Sequence, residues 1–496
     1  MKRSANDRAV RLNYCVKGNK MLFNSYVFLL LFFPATFLAY HLLVRYGKYT
    51  AAKAMLVFAS LYFYGYFKPS YILILISSIA ANYLICKWLW SGKAWRRSFL
   101  ALGCILNIGI LVYYKYAGFI IDNINYFFDA GFPAFSILLP LGISFYTFQQ
   151  LSFLIDAYRG DNLKISLVDY SLFVTFFPQL VAGPIVLPGE MLPQFDDPSR
   201  RRISWENMNT GLWFFACGLV KKCFVADTIA IIVNTGFSAT TPLNFAEAWL
   251  AAIGFTFQMY FDFSGYCDMA MGLGKFFNID LPLNFNSPLK ATSFQSFWRR
   301  WHITLCRFMT QYLYFPLGGS RCSKPRALMN MVIVFVVSGI WHGAGWVYLL
   351  WGTFHGMGLL INRVWNDFCE KHPAFKMPFL PALITTFMAQ SLLGVLFRAQ
   401  SFKKTWELIC TMADFRRIAW ITKPFGKAIE DYGFDRDFIL LVYFGAVFTA
   451  FCLPNSFEMN EKLKAHPKIK MWMTVVFLVI GFISVGRISP FLYFNF

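Results

Sequence analysis

Apolar runs near the length of a bilayer recur along this chain, among them Leu22 to Leu43, Met377 to Phe397, Phe438 to Phe451 and Met471 to Gly486. About 20 apolar residues in a helix cross the hydrocarbon core of a membrane. In lipid the backbone has no water to bond, so these runs are expected to satisfy their hydrogen bonds internally as helices. The fold expected is an all-α integral membrane protein with about eleven transmembrane helices. Composition supports lipid as the solvent: 57% of the 496 residues are hydrophobic and 14% charged. A soluble domain of this size could not bury so much apolar surface while showing water so few charges.

The formal charge is +21, from 46 Lys and Arg against 25 Asp and Glu. In a soluble protein that excess would raise the question of nucleic acid. Here the cations cluster between apolar runs, at Arg200 to Arg202, Lys221 and Lys222, Arg321 to Arg326, and Lys462 to Lys470. Loop charges that orient a membrane protein have this arrangement, so nucleic acid is not an expected partner and membrane lipid is. The cysteines show no CxxC pair, and neither a disulfide framework nor a metal site is expected.

Residues 1–20 carry six Lys or Arg against one Asp and are expected to be a basic N-terminal extension, or to lie upstream of a true start at Met21. No long hydrophilic stretch separates domains, so residues 21–496 read as one membrane domain. Phe176 to Phe195 is apolar yet broken by Pro178, Pro184, Pro188, Pro193, Gly183 and Gly189. A continuous helix is not expected with that density of breakers; re-entrant or short tilted helices inside the domain are expected, with a surface loop as the alternative.

Polar residues stranded in apolar runs are the informative signal, because burying them in a membrane costs free energy that function often justifies. From Ala327 to Asn362 there is no acid or base, yet the run holds SGIWHGAGW, with His342 between Trp341 and Gly343, and then His355 in WGTFHG. A neutral imidazole can take a proton from a hydroxyl at physiological pH, and neighbouring glycines let a substrate or helix approach. His342 is therefore the first catalytic candidate, and His355 a supporting one that packing alone could explain.

A second constellation spans Ser293 to Gly319. If it is helical, Trp298, His302 and Cys306 share a face, with Arg299 and Arg300 around it. Arg299, Arg300 and Arg321 are candidates for holding donor phosphates, or are ordinary orienting charges. A third holds Asp262 and Asp268, buried carboxylates expected to pair with His or Lys and more often structural than catalytic. Phosphate-loop, HExxH, GxSxG and HxxxxD motifs are absent, which speaks against a nucleotide-driven pump and a serine hydrolase.

These segments together resemble the membrane-bound O-acyltransferase family, most closely its bacterial branch concerned with alginate O-acetylation. The resemblance rests on LPLGISFYTFQQLSFLIDAYRG, FFPQLVAGPIVLP, YFDFSGYCDMAMGLGKFFNIDLPLNFNSPLKATSFQSFWRRWHITL, YFPLGGSR, SGIWHGAGW and FLYFNF. It implies a ring of tilted helices thinned at its centre, with funnels from both sides meeting near His342 as catalytic histidine and His302 as the second polar position. It implies no permanently bound cofactor, with acetyl-coenzyme A or another acyl thioester as donor substrate. An extracytoplasmic acetyltransferase or polysaccharide-modifying partner would then finish the modification of alginate, cellulose or peptidoglycan. The related branch that D-alanylates teichoic acid is one alternative, and a non-enzymatic glycan transporter or flippase, suggested by the many crossings and intramembrane carboxylates, is the other.

Overall fold

A computed structural model describes residues 21–92, 95–135, 137–160, 164–485 and 491–492, and the extension over residues 1–20 lies outside them. Among the described residues the chain is helical, with no strand. Six helices are long and apolar enough to cross a membrane: Phe28–Arg45, Ser70–Trp90, Arg96–Phe128, Lys324–His342, Phe379–Ala399 and Pro467–Ser484. A seventh candidate is the pair Arg436–Cys452 and Ser456–Leu463, bent by 66°. Length and composition thus give fewer spans than about eleven, because several remaining helices are short or carry polar residues that interrupt their apolar character.

The longest unbroken α-helix among the described residues, Phe245–Phe276, opens on a capping box between Asn244 and Glu247 and is buried over most of its length. Its 32 residues reach about 48 Å at 1.5 Å per residue, enough to run through the whole domain. It packs against Trp205–Leu219 backbone to backbone. A Cβ on Gly218 would lie 2.4 Å from the Gly265 carbonyl oxygen, and one on Gly265 would lie 2.9 Å from that of Gly218. Gly211 and Gly272 repeat the arrangement at 2.8 and 2.6 Å. Small residues at such crossings let helices approach where lipid supplies no hydrophobic drive.

A π-helical stretch, Val220–Ala226, follows the first of these helices and aims two adjacent lysines at the second. Lys221 Nζ meets Asp268 at 2.7 Å. Lys222, 1% exposed, lies 2.5 Å from Asp262 and 2.8 Å from Asp227. The other Asp262 oxygen accepts from the Leu492 backbone N–H at 3.0 Å. Both carboxylates singled out in the sequence therefore bind lysines and tie elements together. Replacing Lys222 with Met is expected to leave two buried acids without their shared cation and to cost roughly 3–5 kcal/mol. A thermal melt of the purified variant in detergent, compared with wild type, measures that loss.

The proline-broken segment folds as the short helices Phe177–Leu180 and Pro188–Asp196, after the helix Leu167–Thr175, and the chain from Leu172 to Pro188 is buried throughout. Arg307 pairs with Glu190 and also donates to the Ile185 carbonyl at 3.2 Å, while Ile185 N–H donates to Thr304 Oγ1 at 3.0 Å. The broken segment thus braces the chain around His302.

Candidate active site

The sequence from Ser293 onward does not continue as one helix. Phe294–Trp298 ends, the chain turns, and Ile303–Met309 restarts, with His302 between them at a φ of 47°. The left-handed region disfavours a side chain, by about 1–2 kcal/mol. The strand-like segment alongside holds it there: Asn286 N–H donates to the Arg300 carbonyl at 2.9 Å and Ile303 N–H to the Asn284 carbonyl at 3.0 Å. Trp298, His302 and Cys306 consequently do not form the single helical face that their spacing suggested.

Asn284, fully buried, also fixes the imidazole of His302. Its Oδ1 accepts from Thr304 N–H at 3.2 Å and from the Thr304 hydroxyl at 2.9 Å, and faces His302 Nδ1 at 3.3 Å. A backbone N–H can only donate, so the amide presents oxygen to this cluster and His302 Nδ1 must carry the hydrogen. The lone pair of the neutral ring then sits on Nε2. Sequence reading passed over Asn284, although it stands in the LNFNSP segment among apolar residues.

His342 is the last residue of Lys324–His342, and the carbonyls that a helix end leaves open are capped from a second π-helical stretch, Val112–Tyr116. Tyr116 donates its hydroxyl to the Ile340 carbonyl at 2.7 Å, and Lys115 Nζ reaches the Trp341 carbonyl at 2.5 Å and that of His342 at 3.3 Å. The chain then reverses through Gly343, where a Cβ would lie 2.2 Å from the Tyr348 ring, into Trp346–Lys371. Gly339 and Gly352 let these two helices touch, each occupying the space a Cβ on the other would need.

Aromatic rings enclose His342, which is 6% exposed: Trp341, Trp351 and Phe397 have centroids 4.8, 5.1 and 5.6 Å from it. Trp341 also lies 6.2 Å from His302, and Trp351 lies 4.4 Å from His355. The Trp298 indole donates to His355 Nδ1 at 3.3 Å. Since indole nitrogen only donates, a neutral His355 carries its hydrogen on Nε2. The structure thus gathers His302, His342, His355, Trp298 and Trp341 into one cluster.

Three cavities adjoin this cluster in series. The innermost, about 50 Å³, is lined by His342, His355, Trp298, Trp351 and Gln390 among others. A middle one of about 190 Å³ shares Trp298 and holds Arg299, Cys306 and Ser338. The outermost, about 410 Å³, shares Gln295 and Leu359 with the middle one and is lined by Lys324, Arg363 and Asn362. Of the sequence-predicted cations, Arg299 therefore stands on this route. The Arg300 carbonyl is engaged with Asn286, and Arg321 is exposed outside the outer cavity's lining, where Lys324 and Arg363 stand instead. Asp262 and Asp268 line none of the three.

Comparison with known proteins identifies the family. The model of the MBOAT family, membrane-bound O-acyltransferases, matches residues 161–393. A peptidoglycan O-acetyltransferase of Helicobacter pylori is 37% identical over 96% of this chain and 98% of its own. The probable alginate O-acetylase AlgI of Pseudomonas putida is 33% identical over 96% of this chain and 100% of its own. A teichoic acid D-alanyltransferase of Bacillus subtilis is 24% identical over 51% of this chain and 67% of its own.

Proposed function

Because this chain belongs to the membrane-bound O-acyltransferase family, a family of multi-pass membrane enzymes, we propose that it moves acetyl from a thioester donor to a hydroxyl of a cell-envelope polysaccharide. Peptidoglycan is the first choice of acceptor, since a peptidoglycan O-acetyltransferase matches over almost the whole chain. The observation that carries the reading is His342 at a helix end inside an aromatic-walled cavity, adjoined by two further cavities that end among Lys324 and Arg363. An acyl thioester such as acetyl-coenzyme A fits that series, with its phosphates near Arg299, Lys324 and Arg363 and its acyl end near His342.

In this mechanism the acceptor oxygen forms a bond to the thioester carbonyl carbon while His342 takes the hydroxyl proton. The carbon–sulfur bond then breaks, and the thiolate leaves with a proton returned by His342. His302, held through Asn284, presents a lone pair on Nε2 and positions the reacting groups. The donor approaches from the cytoplasm, the protein lies in the inner membrane, and an extracytoplasmic partner passes the acetyl group onward. D-alanyl transfer ranks second, because that relative aligns with only half of the chain.

Proteoliposomes carrying the protein and radiolabelled acetyl-coenzyme A are expected to transfer label to added peptidoglycan fragments or to a partner's hydroxyl. Label that stays on the donor, with D-alanyl transfer from a charged carrier protein instead, would favour the second reading. Asn284→Leu removes the acceptor that sets the His302 tautomer, and transfer should fall of the order of 10- to 100-fold. Asn284→Asp keeps an acceptor there and should retain more activity than Asn284→Leu in the same assay.

A further inference from the structure

The Phe379–Ala399 helix is one of the apolar spans, and its polar side chains can be accounted for one by one. Thr385 and Thr386 return their hydroxyls to the helix at the Pro381 and Ala382 carbonyls, at 2.8 and 2.7 Å. Ser391 meets the Thr256 hydroxyl at 3.1 Å, and Arg398 donates to Asn234 Oδ1 at 2.9 Å. Arg398 leaves its Nε without a hydrogen bond but pairs through its Nη2, whereas no hydrogen bond engages the one donor nitrogen of Gln390. Gln390 is 7% exposed, and that nitrogen, Nε2, is buried. A primary amide left so in an apolar span is costly, and natural proteins rarely keep one without a use.

Gln390 lines the same small cavity as His342. Gly394 and Phe397 follow it on one helix face and line the cavity too. A Cβ on Gly394 would meet the Phe255 ring at 3.4 Å, so the glycine keeps that wall open. Two other polar groups of the lining are committed elsewhere, the Trp298 indole to His355 and the Thr256 hydroxyl to Ser391.

We infer that the Gln390 side-chain amide donates a hydrogen bond to the carbonyl oxygen of the acyl group while His342 activates the attacking hydroxyl. The inference rests on the acyl-transfer reading. As the acceptor oxygen adds to the carbonyl carbon, the carbonyl π electrons move onto its oxygen. They return when the carbon–sulfur bond breaks and the thiolate takes the proton from His342. Between those events the oxygen bears negative charge in a mostly apolar, aromatic-walled cavity, where a fixed donor acts with most effect. The cavity, about 50 Å³, suits a small acyl group such as acetyl.

The test uses full-length protein in proteoliposomes with acetyl-coenzyme A. Gln390→Met, similar in length and without a donor, should lower kcat about 10²- to 10³-fold. KM for acetyl-coenzyme A should change by no more than a few-fold, and the melting temperature should hold or rise, because an unpaired amide has left an apolar span. Gln390→Asn, whose amide is one methylene short, should recover part of kcat. Wild-type kcat in Gln390→Met, while His342→Ala is inactive, would overturn the inference. A melting temperature and kcat that drop together, with no recovery in Gln390→Asn, would likewise reduce Gln390 to a packing residue. Full transfer by His342→Ala would instead remove the acyl-transfer reading beneath it.

Discussion

Membranes containing His342→Ala are expected to lose envelope acetylation while the protein accumulates at its wild-type level. A positioned general base contributes roughly 10²- to 10⁴-fold to a rate, and Trp298, which also ends a helix at the innermost cavity, has an indole that cannot serve as a base. The fold should survive the change. The capping of this helix end by Tyr116 and Lys115 uses backbone carbonyls, which an alanine at 342 keeps. Removing the ring also creates no uncompensated charge, since a neutral imidazole is what leaves. The measurement is polymer-bound acetate per unit of immunodetected protein, and acetate equal to wild type would dismiss His342 as the base.

Gly265→Leu is expected to prevent assembly altogether, and Gly265→Ala to lower the melting temperature. Even one methyl at this position would stand 2.9 Å from the Gly218 carbonyl oxygen, 3.0 Å from Lys221 Cβ and 3.1 Å from the Lys222 nitrogen. Two of those three are backbone atoms of a helix packed from both sides, so the strain cannot be released by a rotamer change. Overpacking of a tight core costs about 1–3 kcal/mol, and a leucine multiplies the overlap. Displacing the helices would also pull Lys221 and Lys222 from Asp268 and Asp262. Gly109→Ala supplies the contrast, because nothing lies within 4 Å of its added methyl and helix propensity favours alanine by about 0.8–1.0 kcal/mol. Comparing melts of the two alanine variants separates crowding from loss of backbone freedom, and equal melting temperatures would refute the packing argument.

His342 was legible in the sequence because an imidazole beside glycines and tryptophans in a run without Asp, Glu, Lys or Arg has few reasons to be there. The broken character of Phe176 to Phe195 was legible for a related reason, since proline and glycine forbid a continuous helix whatever surrounds them. What local pattern cannot show is where a distant segment intervenes. His302 lies at a helix break because residues 284 to 286 bond across it, and helical spacing from Trp298 to Cys306 carries no trace of that. Gln390 was readable in principle, as a polar residue within the Met377 to Phe397 run, but nothing nearby in the chain marks it. Its meaning comes from facing a cavity built by other helices. The number of crossings is indistinct for the same reason, because helices such as Phe245–Phe276 bury carboxylates whose lysine partners lie elsewhere in the chain.

The meeting of the inner and middle cavities at Trp298 bears on how a living cell tolerates such an enzyme. A membrane that stores energy as an ion gradient is discharged by any unbroken thread of water joining its two faces. The Trp298 ring, tethered to His355, lines both hollows. Any such thread of water from the Lys324 side to the His342 cavity would have to pass this indole.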